Sequence, residues 1–223
     1  MKIITKDYVK LAIHQVGKMM EHVPKGERVL DIGAGPGLFN HLFRKKFEWI
    51  VALDKFGPPK RKYKSRKDRE RNKWKEKYGQ NDADEKIIFD IDKLKPMPFR
   101  PRSFDFIFAS NIIEHLKHPF HFEREIFRLL GPGGMALIIT PKRKCLIAYY
   151  DKLFKGGYNG WDDDHKILYQ PQELGRELKK RGFKIVKYMP TGILFYYVAA
   201  IPLLEPLNMG ISLLVQKPVD GRK

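Results

Sequence analysis

The sequence predicts a doubly wound α/β fold. Seven apolar runs of strand length recur along the chain, at residues 28–32, 49–53, 86–91, 104–109, 135–140, 184–188 and 211–216. Most runs are nearly continuous rather than alternating, as expected of parallel strands that are covered on both faces. Helix-like stretches separate several of the runs, and a glycine-rich turn follows the first. This alternation favours a sheet with helices on both of its faces.

The helix-like stretches have recognisable boundaries. A leading helix is predicted over residues 6–22, ending before the turn at residues 24–26. Three further helices are predicted at residues 39–46, 121–130 and 172–181. The last of these follows Pro171 and stops at Gly182, the residue types that favour a helix start and a helix end. A length of 223 residues suits one α/β domain, so residues 1–223 are predicted to form a single domain.

The composition is that of an ordinary globular protein, with 43% hydrophobic and 31% charged residues. Cys145 is the only cysteine, which excludes an intramolecular disulfide and a cysteine-based metal site within the chain. This usage fits a reducing compartment, and we expect a cytoplasmic protein. The N-terminal residues lack the continuous apolar core of a signal peptide. The longest apolar stretch, residues 192–215, is interrupted by two prolines, a glutamate and an asparagine, so no membrane span is expected.

The net charge of +18 is concentrated in one segment. Residues 55–78 alone contribute +9, and a basic insertion is predicted at residues 57–79. As a helix, this segment would place Tyr63, Trp74 and Tyr78 near one face. One interpretation is that the stretch from Lys60 to Tyr78 contacts nucleic-acid phosphates. The alternative is a solvated arm or a lid over a cofactor, and no base-reading module is visible.

The sharpest local signal is the sequence VLDIGAGPGLF at residues 29–39. Glycines in such a turn adopt positive φ and let a ligand approach the main chain. The helix that follows presents unpaired amides that suit a carboxylate or a phosphate. Leu38 stands where a dinucleotide fingerprint would place its third glycine, and the Lys-Ser/Thr pair of a P-loop is missing. Both phosphate-binding interpretations therefore fail, and a nicotinamide-dependent dehydrogenase is disfavoured.

The pattern D-x-G-x-G-x-G resembles motif I of class I S-adenosylmethionine-dependent methyltransferases, and residues 24–218 look most similar to the methyltransferase type 11 group. The resemblance implies a Rossmann-like, mostly parallel seven-stranded sheet whose last strand is antiparallel. It also implies S-adenosylmethionine as the cofactor. The residues expected to hold the amino-acid end of this cofactor are Asp31, Gly33, Ala34, Gly35 and Gly37.

The resemblance implies further cofactor contacts at the ends of the second and third strands. Asp54 matches the acidic residue that accepts both ribose hydroxyls in the family, a charge-assisted pair of hydrogen bonds, and Lys55 follows it. An aspartate near the adenine amino group is expected after the third strand, with an apolar neighbour against the ring. Asp90 and Asp92 are both candidates, and we favour Asp90 with Ile91.

The end of the fourth strand abuts the methyl group in the family. Ser110 is therefore expected to contact the cofactor and Asn111 to lie at the reacting centre. Residues 141–170 are predicted to shape the acceptor pocket, where His165 is a candidate general base, although a solvated acidic turn is the favoured alternative for residues 162–165. Glu114 and His115 are more typical of structural residues than of catalysts, and no metal site is predicted.

These features predict a methyltransferase whose acceptor is unidentified, with a small molecule favoured. The fourth strand lacks the Asn-Pro-Pro-aromatic run of adenine amino-methylating enzymes, and Cys145 lacks the Pro-Cys setting of cytosine C5 methylation. The alternatives are an RNA-directed methyltransferase and a non-catalytic protein that binds cofactor and RNA through the basic insertion. The oligomeric state is left open.

Overall fold

The computed structural model describes residues 4–55, 82–144, 165–191 and 210–219. The four α-helices among these residues are α1 (Ile4–Met20), α2 (Asn40–Phe43), α3 (Pro119–Leu129) and α4 (Pro171–Lys180). The strands are β1 (Gly26–Ile32), β2 (Phe47–Asp54), β3 (Glu85–Ile88), β4 (Phe104–Ser110), β5 (Leu130–Pro141), β6 (Lys184–Thr191) and β7 (Gly210–Gln216). Two short 3₁₀ helices follow β3 and β4, namely η1 (Ile91–Lys93) and η2 (Ile113–His115).

The strands form one seven-stranded sheet in the order β3-β2-β1-β4-β5-β7-β6. Strands β1 to β5 are all parallel to one another, whereas β7 runs antiparallel to both of its neighbours, β5 and β6. The predicted fold, including the antiparallel last strand, is confirmed. The chain winds outward in opposite directions from β1 and β4, so these two strands flank the switch point where α/β sheets bind ligands beyond their carboxyl ends.

The sheet is covered on both faces, as the near-continuous apolar strands predict. Strand side chains alternate between the two faces, so Leu30 and Ile32 belong to one buried cluster while Val29 belongs to the other. The first cluster includes residues of α3 and α4, namely Phe122, Ile126, Leu129, Leu174 and Leu178. The second includes residues of α1 and α2, namely Val16, Met19, Met20 and Phe43. This arrangement is the doubly wound architecture.

Two predicted elements are shorter than expected. The third strand was predicted to reach residue 91 but β3 ends at Ile88, because the Asp90 carboxylate accepts a hydrogen bond from the Asp92 amide (3.2 Å) and starts η1. The helix predicted at residues 39–46 is the single turn α2, because Phe47 already pairs with Gly26 to begin β2. The boundaries of α3 and α4 lie within two residues of those predicted.

Several predicted features fall outside the described residues. The whole basic insertion at residues 57–79 lies outside them, and so do residues 145–164 of the predicted acceptor segment. In the part of the chain that the structure describes, no helix is both long and apolar enough to span a bilayer.

Candidate active site

The glycine loop after β1 folds back over the end of β2. Gly33 has φ +73° and Gly35 has φ +49°, both in the left-handed region that L side chains rarely adopt. The Gly33 amide donates a hydrogen bond to the Leu53 carbonyl (2.7 Å), which anchors the loop to β2. A Cβ atom on Gly33 would lie 2.1 Å from Cδ1 of Ile112, so the Ile112 side chain would have to move to admit any side chain there. The turn thus needs glycine for both its conformation and its packing.

Asp31 lies on β1, two residues before this loop, and its side chain is almost completely buried, with 2% of its surface exposed. Its Oδ2 atom makes no hydrogen bond to any described residue. Burial, aided by the nearby negative charge of Asp54, raises the pKa of Asp31 to about 8. A buried carboxylate oxygen without a donor costs free energy, and a ligand that carries a cationic amino group would satisfy it. The site therefore fits the ammonium end of an amino-acid ligand.

Asp54 ends β2 beside the glycine loop. Its Oδ2 atom accepts a hydrogen bond from the Gly35 amide (2.8 Å). This bond holds the carboxylate at the loop, across the strand ends from Asp31. A carboxylate has about four acceptor positions, so it can keep this bond and still accept the hydroxyls of a ribose.

The two aspartates after β3 have different surroundings. Asp90 lies 3.6 Å from the ammonium nitrogen of Lys55, which follows β2. Asp92 instead accepts a hydrogen bond from the Lys117 amide (2.8 Å) and faces the Lys166 ammonium at 3.8 Å. Asp90 thus faces the end of β2, whereas Asp92 is bound to segments that follow β4 and precede α4.

The chain leaves β4 through Ser110 and Asn111. Asn111 adopts φ +55°, and its amide donates a hydrogen bond to the Ile139 carbonyl on β5 (2.8 Å). Its Nδ2 atom lies 3.3 Å from the hydroxyl of Ser110. Asparagine tolerates this conformation better than most residues, and such backbone strain is concentrated at functional sites. Both predicted residues lie at the carboxyl edge of the sheet, beside the switch point.

The structure also brings together three side chains that no pattern in the sequence groups. Glu114 is fully buried, and its Oε2 atom accepts a hydrogen bond from the Thr140 hydroxyl (2.9 Å). The rings of His115 and His165 meet edge to face, with centroids 4.7 Å apart. One ligand atom from each of the three residues lies within 4.8 Å of the other two. We refer to these three residues as the Glu114 cluster.

Backbone hydrogen bonds explain how His165 reaches this cluster from a distant part of the sequence. The amides of Lys166 and Ile167 donate to the Glu114 carbonyl at 2.8 and 3.2 Å. The Lys166 ammonium also donates to the His115 carbonyl (2.6 Å). The sequence contained one signal for the cluster, the Glu-His pair at 114–115, but nothing in it indicated that His165 would be the neighbour.

Comparisons with known proteins identify the family of the chain. The methyltransferase domain family matches residues 6–188. An uncharacterized protein of Methanocaldococcus jannaschii is 28% identical over 179 residues, covering 79% of this chain and 74% of the relative. An uncharacterized methyltransferase of a Mycobacterium species (strain KMS) is 25% identical over 118 residues, which cover 53% of this chain but only 40% of that relative.

Solved structures show the same fold. An S-adenosylmethionine-dependent methyltransferase from Archaeoglobus fulgidus superposes with a TM-score of 0.65 at 18% identity, covering 96% of this chain and 98% of the other. A 1,6-didemethyltoxoflavin-N1-methyltransferase from Burkholderia thailandensis, solved with 1,6-didemethyltoxoflavin and S-adenosylhomocysteine, gives 0.57 at 15% identity, covering 97% and 81%. The family match spans well over half of the sequence, and the chain therefore belongs to the methyltransferase domain family.

Proposed function

We propose that this methyltransferase holds its cofactor across the carboxyl ends of β1, β2 and β4 and methylates a small-molecule acceptor. The observation that supports the site most directly is the buried Oδ2 atom of Asp31, which has no hydrogen-bond donor among the described residues, next to a glycine loop in the left-handed conformation. When bound, S-adenosylmethionine supplies a methyl group that its sulfonium has already activated. The protein then needs mainly to align the acceptor with that methyl group.

The amino-acid end of the cofactor is assigned to Asp31 and the glycine loop. Asp31 would accept hydrogen bonds from the ammonium group, which also lowers the cost of burying its charge. Gly33, Ala34, Gly35 and Gly37 would bring main-chain atoms close to the ligand, where a larger side chain would block it.

The nucleoside end is assigned to the ends of β2 and β3. Asp54 would accept the two ribose hydroxyls while it keeps the Gly35 amide. Asp90, with Ile91, is proposed at the adenine, because Asp92 is already bound to the Lys117 amide and faces Lys166. Lys55 would act through its ion pair with Asp90 (3.6 Å).

Ser110, Asn111 and His165 are proposed at the methyl and acceptor side. Ser110 and Asn111 end the strand next to the switch point, and Asn111 offers an amide that can orient an acceptor. His165 lies beside His115 and is the proposed base when the acceptor must lose a proton. The Burkholderia thailandensis neighbour holds 1,6-didemethyltoxoflavin in the same fold, which supports a small-molecule acceptor here.

An RNA acceptor is the second candidate, and one observation favours it. Residues 55–78 hold half of the net charge of +18 within a tenth of the sequence, interleaved with aromatic residues. Such a segment is suited to the phosphate backbone of a nucleic acid.

Titration calorimetry with S-adenosylmethionine and S-adenosylhomocysteine tests the cofactor site. Asp54→Ala should weaken binding by about 1–3 kcal/mol, because two charge-assisted hydrogen bonds are lost. Asp90→Asn should weaken it as well, whereas the matched variant Asp92→Asn should not. Unchanged affinity in Asp54→Ala, or equal losses in the two asparagine variants, would contradict the assignments.

Methyl transfer from radiolabelled cofactor tests the acceptor. We expect label in small-molecule extracts and an undiminished rate after deletion of residues 58–78. Label in RNA that this deletion abolishes would instead establish the RNA-directed alternative. Retained RNA binding without transfer to any acceptor would favour a non-catalytic role.

A further inference from the structure

We propose that Glu114, His115 and His165, the Glu114 cluster, form a binding site for a divalent transition-metal ion. One carboxylate and two imidazoles are a ligand set that proteins use for Zn²⁺ and its neighbours in the first transition series. Their ligand atoms lie within 4.8 Å of one another. The ligands of a tetrahedral zinc ion are about 3.3 Å apart, given bonds of about 2.0–2.1 Å, so the side chains need to close by roughly 1–1.5 Å. Rotation of the two imidazole rings is the simplest movement that achieves this.

The carboxylate is already prepared for a cation. Glu114 is fully buried, so its charge is expensive unless a positive group compensates for it. The Thr140 hydroxyl donates to its Oε2 atom (2.9 Å), which fixes the orientation of the carboxylate. Hydrogen bonds of this kind to a ligand side chain are the usual support of a metal site.

The two histidines are held in place by the backbone. The Glu114 carbonyl accepts from the amides of Lys166 and Ile167, which fixes His165 against η2. His115 and His165 then stack edge to face at 4.7 Å. The three residues come from two segments that are fifty positions apart, so the site exists only in the folded chain. Metal binding should therefore stabilise the folded state.

The ammonium group of Lys166 does not oppose a cation strongly. Lys166 donates to the His115 carbonyl (2.6 Å) and faces the Asp92 carboxylate at 3.8 Å. Its charge is thus partly balanced by Asp92. A metal ion is bound by a deprotonated carboxylate and neutral imidazoles, so these three ligands would together offer it one negative charge. Three protein ligands also leave a coordination position for water or for another oxygen ligand. A neutral imidazole has one free lone pair, so His165 cannot bind the ion and act as the proposed base at the same time; the two roles belong to the metal-bound and metal-free protein.

The test uses Zn²⁺ as the probe and Co²⁺ as its spectroscopic analogue, on the full chain without cofactor or acceptor. We expect one Zn²⁺ per chain with micromolar or tighter affinity, and a cobalt complex whose visible bands report nitrogen and oxygen ligands. His115→Ala and His165→Ala should each weaken zinc binding at least tenfold. The matched control is His118→Ala, an exposed histidine three residues from His115, and it should bind zinc as the unmodified chain does.

Thermal unfolding provides a second measurement of zinc binding, which also covers a variant of the buried Glu114. Zn²⁺ should raise the Tm of the unmodified chain and of His118→Ala but not of His115→Ala, His165→Ala or a folded Glu114→Gln. No bound zinc, or the same affinity in His115→Ala and His165→Ala as in the control, would overturn the proposal. Because these readouts need neither cofactor nor acceptor, they succeed or fail independently of the proposed methyl transfer.

Discussion

Replacing Gly33 with alanine should destabilise the fold far more than the same change at Gly35. Both residues have positive φ, +73° and +49°, which costs an alanine about 1–2 kcal/mol. At Gly33 the new Cβ would also lie 2.1 Å from Cδ1 and 2.6 Å from Cγ1 of Ile112. Relieving such an overlap costs about 1–3 kcal/mol more. At Gly35 the nearest atom is the Gly33 carbonyl oxygen at 3.9 Å, so no overlap arises.

Urea unfolding followed by circular dichroism measures the two variants. We expect Gly33→Ala to lose about 2–4 kcal/mol of unfolding free energy and Gly35→Ala about 1 kcal/mol. In both variants the cost of holding an alanine at positive φ is partly offset, because alanine lowers the conformational entropy of the unfolded chain. Ile112→Ala provides the control background. There Gly33→Ala should cost only the conformational part, since the overlapping atoms are gone. Equal losses for the two glycine variants, or the same loss for Gly33→Ala in both backgrounds, would refute the packing argument.

Three further predictions concern buried charges and their partners. The pKa of Asp31 is raised to about 8 in the fold, so the folded state keeps a proton that the unfolded chain loses above about pH 4. The free energy of unfolding should therefore fall by up to about 1.4 kcal/mol per pH unit as the pH rises towards 8. Asp31→Asn should remove this slope in unfolding measured from pH 5 to 8. Arg128 makes two 2.7 Å hydrogen bonds to Glu125, whose side chain is 7% exposed. Arg128→Met should lower the free energy of unfolding by about 3–5 kcal/mol in denaturant unfolding, because it leaves the Glu125 carboxylate without its cationic partner. Adding Glu125→Leu should recover part of this loss. A double variant that is no more stable than Arg128→Met would contradict this account. Asp105 accepts hydrogen bonds from two backbone amides at the start of β1, at 2.7 and 2.9 Å. Asp105→Ala should therefore lower the free energy of unfolding by about 1–3 kcal/mol. A loss below about 0.5 kcal/mol would show that water replaces those bonds.

The sheet was predictable because its signal is local. Strands such as the one at residues 104–109 are covered on both faces of the sheet, so most of their residues must be apolar. Each strand therefore shows its own apolar run in the sequence. The sequence VLDIGAGPGLF likewise specifies a strand and a left-handed turn within eleven positions, and the structure has positive φ at Gly33, Gly35 and Gly37. The antiparallel last strand followed from the family resemblance rather than from any pattern in the residues.

Errors in element length arose where a side chain competed with regular structure. Residues 86–91 are apolar enough for a longer strand, but Asp90 caps η1 and ends β3 at Ile88. Nothing in the local pattern states whether an aspartate will extend a strand or cap a turn, since its carboxylate can serve either conformation.

The sequence by itself determined the fold class, the family and the residues of the glycine loop, because these depend on neighbours along the chain. Only the tertiary structure decided which side chains from distant parts of the sequence face one another. It separated Asp90, beside Lys55, from Asp92, which binds the Lys117 amide. It also placed His165 against Glu114 and His115, because two backbone amides about fifty positions further along the chain donate to the Glu114 carbonyl. Contacts between distant segments depend on the path of the whole chain, and no local pattern encodes them.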